Sequence, residues 1–300
     1  MLSTNRFSRL TSSLALSLFA LAVVANDVNA ELIAVTSGPQ VNFNSALYRL
    51  DIATGTATKI GETGLKHVTG IAVQPTTGLL FAHRHDRSTG VGELYRLDLQ
   101  TAAPTLIGTT GIQVPDITFG PDGKLYGWME LGSANFFNTD VDDLVTFDLN
   151  TGAVTRVSDS GIFTNQTGLA FSPSGSLFLK SGDIDGSKPQ ADRVGHLYQI
   201  NPLTGVGTSV IALDANPHNA LEFDASGQAY TLSRGDTGTM LQSIDFTTGH
   251  VTDLNVFDVE GITAIAFVTA VPEPSSLVLM STVSVGLLMF RRRRTSSVES

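Results

Sequence analysis

"LYRLDIATG" (Leu47–Gly55) is the stretch that decides the fold, because it returns. "LYRLD" recurs at Leu94–Asp98, followed by "LVTFD" at Leu144–Asp148, "LYQIN" at Leu197–Asn201 and "LQSID" at Leu241–Asp245. Their last residues, Asp51, Asp98, Asp148, Asn201 and Asp245, stand 47, 50, 53 and 44 positions apart. Four copies run into a turn, "DIATG", "DLNTG", "NPLTG" and "DFTTG". There the Asp or Asn side chain can accept the N–H two residues on, and Gly supplies the positive φ that closes a hairpin. The second copy, "DLQTAAPT" (Asp98–Thr105), lacks the glycine and is expected to turn differently.

A second strand–turn–strand unit lies between these hairpins. Its copies are "GIAVQPTTGLLFAHR" (Gly70–Arg84), "DITFGPDGKLYGWM" (Asp116–Met129), "GLAFSPSGSLFLKS" (Gly168–Ser181) and "ALEFDASGQAYTLS" (Ala220–Ser233). A last copy, "AIAFVTA" (Ala264–Ala270), has its first strand only; a matching second strand, "LIAVT" (Leu32–Thr36), stands at the other end. Outer strands such as "TKIGE" and "TLIGT" bring each repeat to four strands. A four-stranded repeat of this length is the size of a propeller blade. The strand count closes only if the N-terminal strand completes the last blade. The expected fold is therefore all-β, a five-bladed β-propeller over residues 31–270. A six-bladed ring and an open β-sandwich rank behind it, since no sequence remains for a sixth blade.

Charge narrows the partners. Residues 31–270 hold 12 Lys+Arg against 25 Asp+Glu. That balance excludes nucleic acid and anionic lipid as partners recognised by a basic surface. There is no cysteine, which fits an exported protein that uses no disulfides.

The two ends carry addresses. Arg6 and Arg9 precede the apolar run Leu10–Ala25, and Val28-Asn29-Ala30 supplies small residues for cleavage. Residues 1–30 read as a secretory signal peptide cut after Ala30. At the other end, Pro272-Glu273-Pro274 precedes the uncharged stretch Ser275–Phe290 and the cluster Arg291, Arg292, Arg293 and Arg294. As a helix, 275–290 would span roughly 24 Å at about 1.5 Å per residue, slightly short for a bilayer, with the arginines on the cytoplasmic side. Residues 295–300 would form a short cytoplasmic tail.

Residues 271–294 resemble the PEP-CTERM sorting signal of exported bacterial proteins. The resemblance implies an exosortase as processing partner, acting at or near Pro272-Glu273-Pro274. It also implies inner-membrane anchoring before processing, then residence in the cell envelope or outside the cell.

Candidate chemistry gathers in the loops joining second to third strands, which share one face of such a ring. These loops, placed at 37–46, 85–93, 130–143, 182–196 and 234–240, hold ten carboxylates: Asp86, Glu93, Glu130, Asp140, Asp142, Asp143, Asp183, Asp185, Asp192 and Asp236. The groups Asp140, Asp142, Asp143 and Asp183, Asp185 are the candidate metal ligands. Their spacing suits calcium, although neither supplies the downstream bidentate Glu of a calcium loop. Solvated turn acids are the commoner outcome for such groups. His83 and His85 share a strand face but have no cysteine to complete a zinc site. His67 and His218 belong to inter-blade loops. Asp116, Asn219 and Glu222 are the candidates for the central channel. Phe43, Phe136 and Phe137 stand among asparagines, a pairing that suits sugar rings.

No nucleophile elbow, zinc-protease helix or phosphate loop occurs. The sequence thus supports a non-catalytic binding or scaffold protein of the envelope or extracellular polysaccharide matrix, requiring no cofactor. Calcium is the one ion its loops suit, and a calcium-dependent propeller hydrolase or lactonase is the alternative.

Overall fold

The computed structural model describes residues 30–37, 44–86, 91–129, 142–164, 167–182, 194–235 and 237–268. The signal peptide, the sorting segment, Phe43, Phe136, Phe137, Asp140, Asp183 and Asp185 lie outside them. Among the described residues there are twenty strands and no α-helix, hence no helix able to cross a membrane.

The strands form five antiparallel four-stranded sheets. Blade 2 is β4 (Val68–Val73), β5 (Leu80–Asp86), β6 (Val91–Leu97) and β7 (Pro104–Thr109). Blade 3 is β8 (Ile117–Phe119), β9 (Leu125–Met129), β10 (Asp142–Phe147) and β11 (Val154–Ile162). Blade 4 is β12 (Gly168–Phe171), β13 (Leu177–Ser181), β14 (His196–Ile200) and β15 (Gly207–Ala212). Blade 5 is β16 (Asn219–Phe223), β17 (Ala229–Arg234), β18 (Thr239–Ile244) and β19 (Val251–Phe257). Blade 1 joins both ends of the ring: β20 (Ile262–Val268) is innermost, followed by β1 (Glu31–Thr36), β2 (Ala46–Asp51) and β3 (Thr56–Glu62). Register runs from Glu31 opposite Val268 to Val35 opposite Ala264. The five-bladed expectation and its closing strand are both present.

Five apolar wedges separate the five blades. Along β1, Ile33 and Val35 enter the wedge toward blade 2, whereas Leu32 and Ala34 enter the one toward blade 5. Both faces of a blade are therefore buried, which explains why "LIAV" is uniformly apolar where a half-exposed strand would alternate.

The repeated turn does more than reverse the chain. Asp51, Asp98, Asp148, Asn201 and Asp245 each accept the N–H groups two and three residues on, at 2.7 to 3.4 Å. Each turn then sits against the outer strand of the preceding blade. A Cβ on Gly108 of β7 would meet the Thr151 carbonyl oxygen at 1.9 Å, and one on Gly249 would meet that of Ala212 at 2.3 Å. At the seam, the Asn255 amide of β19 donates to the Ile52 carbonyl, latching blade 5 to blade 1.

One expectation needs correction. The glycine-free second turn has the same form as the others: Ala102 takes φ 63°, where Gly55 takes 71° and Gly152 takes 72°. The strain of an alanine there, about 1–2 kcal/mol, is offset by full burial of its methyl beside Gly61 and by the Asp98 bonds.

Candidate functional site

The inner strands touch in a closed ring, β20–β4–β8–β12–β16. Aligning the repeats gives one inner-strand column of Gly70, Asp116, Gly168, Ala220 and Ala264, and a second, two residues on, of Ala72, Thr118, Ala170, Glu222 and Ala266. Small residues dominate because the strands nearly collide: a Cβ on Gly168 would lie 2.1 Å from the Ala220 carbonyl carbon. Asp116 and Glu222 are the two carboxylates in these columns.

Asp116 is 3% exposed. It accepts the N–H of Ile117 at 2.9 Å and that of Leu169 in the next blade at 3.0 Å, with a further backbone N–H bond from Leu221 in blade 5. Burial nevertheless dominates and pushes its carboxyl up to about 8. Glu222, on the innermost strand of blade 5, is only partly exposed. Burial, and then the Asp116 charge, raise it to about 8.

Lys180 completes this group and was missed by the sequence reading. Its ammonium donates to the Pro217 carbonyl at 3.0 Å. Burial lowers it to about 7, against the pull of Asp116. Its column explains how it came to be inside. Val35, His83, Trp128, Lys180 and Leu232 each stand opposite the leucine that opens the repeated five-residue motif, and all are at most 1% exposed. A basic residue in a core column is the signal that a strict repeat alignment carries.

The same column settles His83. Its ring nitrogens meet Thr69 Oγ1 at 3.3 Å and Thr110 Oγ1 at 3.1 Å, and burial lowers its pKa to about 3. It is a neutral core histidine with both nitrogens satisfied. Because the unfolded chain takes up this proton near 6.5, His83 costs stability as pH falls from about 6.5 toward 3, at roughly 1.4 kcal/mol per unit. Urea unfolding should therefore show His83→Gln gaining on the parent by about that amount per unit between pH 6 and 4. Parallel pH curves for the two proteins would overturn the assignment.

Asp142 and Asp143 were expected in a loop and lie in strand β10, where neighbouring side chains point to opposite faces. Asp142 accepts the Thr164 N–H at 2.7 Å and its hydroxyl at 2.6 Å, while Thr164 Oγ1 in turn receives the Trp128 indole N–H at 2.8 Å. Asp143 pairs with Arg156. The β5–β6 loop is likewise shorter than expected, because β5 runs to Asp86 and β6 begins at Val91. Glu93 lies within β6 and pairs with Arg84 at 2.7 Å.

An open cleft of about 530 Å³ lies between blades 5 and 1, on the face where the inner strands begin. Its walls include His218, Asn219, Arg234, Thr239, Glu260 and Thr263. His218 donates its backbone N–H to Leu232, but its Nδ1 is buried without a hydrogen-bond partner among the described residues. Burial first, then Lys180 and Arg234, depress the His218 pKa. Asn219 is thus a cleft residue, whereas Asp116, Glu222 and Lys180 come close enough to influence one another's charge. No group of three or more metal-ligating side chains occurs among the described residues.

Residues 270–294 match the PEP-CTERM protein-sorting motif. The motif implies an exported, membrane-anchored precursor that an exosortase processes. No curated protein sequence matches the chain. Among solved structures, a chain of the nidogen/laminin complex aligns at 12% identity with TM-score 0.53, covering 80% of this chain and 98% of that one. TolB from Acinetobacter baumannii aligns at 17% identity and TM-score 0.47, over 77% of this chain. The present chain spans about half (54%) of that TolB. The periplasmic gluconolactonase PpgL of Pseudomonas aeruginosa aligns at 13% identity and TM-score 0.44, covering 81% and 99%. At such identities the likeness is one of fold.

Proposed function

We propose that this exported propeller is a non-catalytic binding or scaffold protein of the envelope or extracellular polysaccharide matrix. Its ligand, a hydroxyl-rich polymer, seats in the cleft between blades 5 and 1. The observation that carries this reading is an open cleft of about 530 Å³ whose walls offer amide, hydroxyl, guanidinium and carboxylate groups from Asn219, Thr239, Thr263, Arg234 and Glu260. The mixture of donors and acceptors suits a sugar better than an apolar ligand.

The alternative, a calcium-dependent hydrolase or lactonase, would use channel carboxylates as metal ligands. Asp116 and Glu222 do gather there, but both favour the protonated form near neutral pH, and Lys180 brings a competing cation to the same group. That electrostatic arrangement disfavours a divalent ion.

The test is a glycan array with the closed ring, residues 31–270, run with and without calcium. Polysaccharide binding that falls about tenfold or more in Asn219→Ala or Arg234→Ala is the expected result. A lactonase activity that needs calcium and disappears in Glu222→Gln would overturn the reading. For sorting, alanine at Glu273 and at Arg291–Arg294 should leave a full-length precursor in the inner membrane, visible on immunoblots. Normal maturation and release of that variant would refute the processing route.

A further inference from the structure

The ring's two chain ends leave from one place. Glu31 pairs with Val268, so the end of the innermost strand and the start of the mature chain lie side by side near the axis. They sit on the face opposite the cleft, since the cleft is lined by Gly261 and Ile262, where β20 begins. The exit face carries the turns at 74–79, 120–124, 172–176 and 224–228 and the five Asp/Asn turns.

Only residues 269–274 separate Val268 from the apolar stretch that starts at Ser275. Even fully extended, that tether reaches at most about 25 Å. To lay the cleft face on a bilayer, it would have to run from the axis to the rim and then up the side. Four strands about 4.8 Å apart, outside a narrow channel, put the rim on the order of 20 Å from the axis, and a seven-residue strand adds about 20 Å of height. The path is roughly 40 Å, well beyond the tether.

We infer that the membrane-anchored precursor stands on the lipid surface by the face where β20 ends, turning the cleft outward. This rests on the reading of 275–290 as membrane-embedded. The tether imposes the contact, because the face itself is not basic: Asp51, Asp98, Asp148 and Asp245 have carboxyl pKa values held low by the N–H and hydroxyl groups of their own turns, and so stay charged. Lys124 is paired with Asp122 at 3.3 Å. Leu79 and the 84%-exposed Leu203 add apolar contact on the same face. In this stance the cleft can engage matrix while the chain is still anchored, and the peptidase must work beneath the ring, within a few residues of β20.

The chain has no cysteine, so single fluorophores can be placed at will. Thr76→Cys and Ala225→Cys mark the exit face; Lys66→Cys and Glu260→Cys mark the cleft face; all four positions are exposed. The signal-peptide-cleaved precursor is reconstituted in phosphatidylcholine vesicles carrying a headgroup acceptor, floated on a density gradient, and read by energy transfer. Transfer from Thr76 and Ala225 should exceed that from Lys66 and Glu260 by about twofold or more. A flexible 20-residue Gly/Ser insertion after Ala270 adds an average reach of about 25 Å and should abolish the asymmetry. Flotation with equal or reversed transfer would overturn the orientation alone, and asymmetry that survives the insertion would overturn the tether as its cause. Failure to float would sink the anchoring and the orientation with it.

Discussion

A chain lacking Glu31–Thr36 will not accumulate as a soluble protein with a single cooperative melt. Strand β1 is no edge: it lies between β20 and β2, bonded to both. Its removal strips β20 of its partner and opens two of the five wedges at once. Both exposed faces then present apolar surface and unpaired backbone, the conditions for aggregation. A milder form of the experiment gives a number. Leu32 and Ile33 are 1% and 0% exposed and point into different wedges. Each replacement by alanine should cost about 2–5 kcal/mol, and because the two side chains fill different wedges the pair should cost more than either alone. The pair would then remove most of the roughly 5–15 kcal/mol that holds a typical domain together. The exposed Leu106→Ala of β7 serves as control and should stay within about 0.5 kcal/mol. A double variant melting within a few degrees of the parent would show that the ring is held elsewhere.

The second large effect is expected at Lys180, and it should depend on pH. Met is close to Lys in volume, so Lys180→Met removes the charge and the bond to Pro217 while leaving little void. Below pH 8 Asp116 retains its proton, and the loss of a buried ammonium strands no anion. Lys180 itself is charged in the fold only below about 7, so the parent loses stability as pH falls from about 10 to 7. Over that window the variant should gain on it by roughly 1.4 kcal/mol per unit, its cost being largest at alkaline pH. The parent carries the same logic in its own titration. Asp116 rises from 3.8 to about 8 on folding, so the stability it supports is whole below about 4 and is lost as pH climbs to 8. Lys180 falls from 10.5 to about 7, so its burial costs stability as pH falls through that window. Asp116→Asn should therefore flatten the 4–8 limb of the stability curve, and the double variant should be less sensitive to pH than Lys180→Met alone. A Lys180→Met cost that is the same at pH 6 and pH 9 would contradict the burial of a titrating ammonium at this position.

The sequence by itself determined the blade count, the four strands per blade and the closing role of Leu32–Thr36. Those features rest on local periodicity: a strand buried on both faces must be apolar throughout, and an Asp or Asn turn must place its acceptor at a set distance from its bend. Both leave marks that repeat every 44 to 53 residues. The sorting address was legible for the same reason, since its motif is contiguous. Tertiary structure decided the rest. Asp142 and Asp143 look like loop acids because their neighbours are polar, yet β10 extends to include them, Thr164 donates to the Asp142 carboxylate and Arg156 forms an ion pair with Asp143. Ala102 adopts a glycine's backbone because a neighbouring blade buries its methyl. Asp116 and Lys180 are far in the chain from each other and from the segment that holds His218 and Glu222, and the four belong to three blades, so no spacing rule joins them. They meet because ring closure brings the inner ends of the blades to one axis, where small residues leave space for a few long side chains and the loss of water shifts their protons.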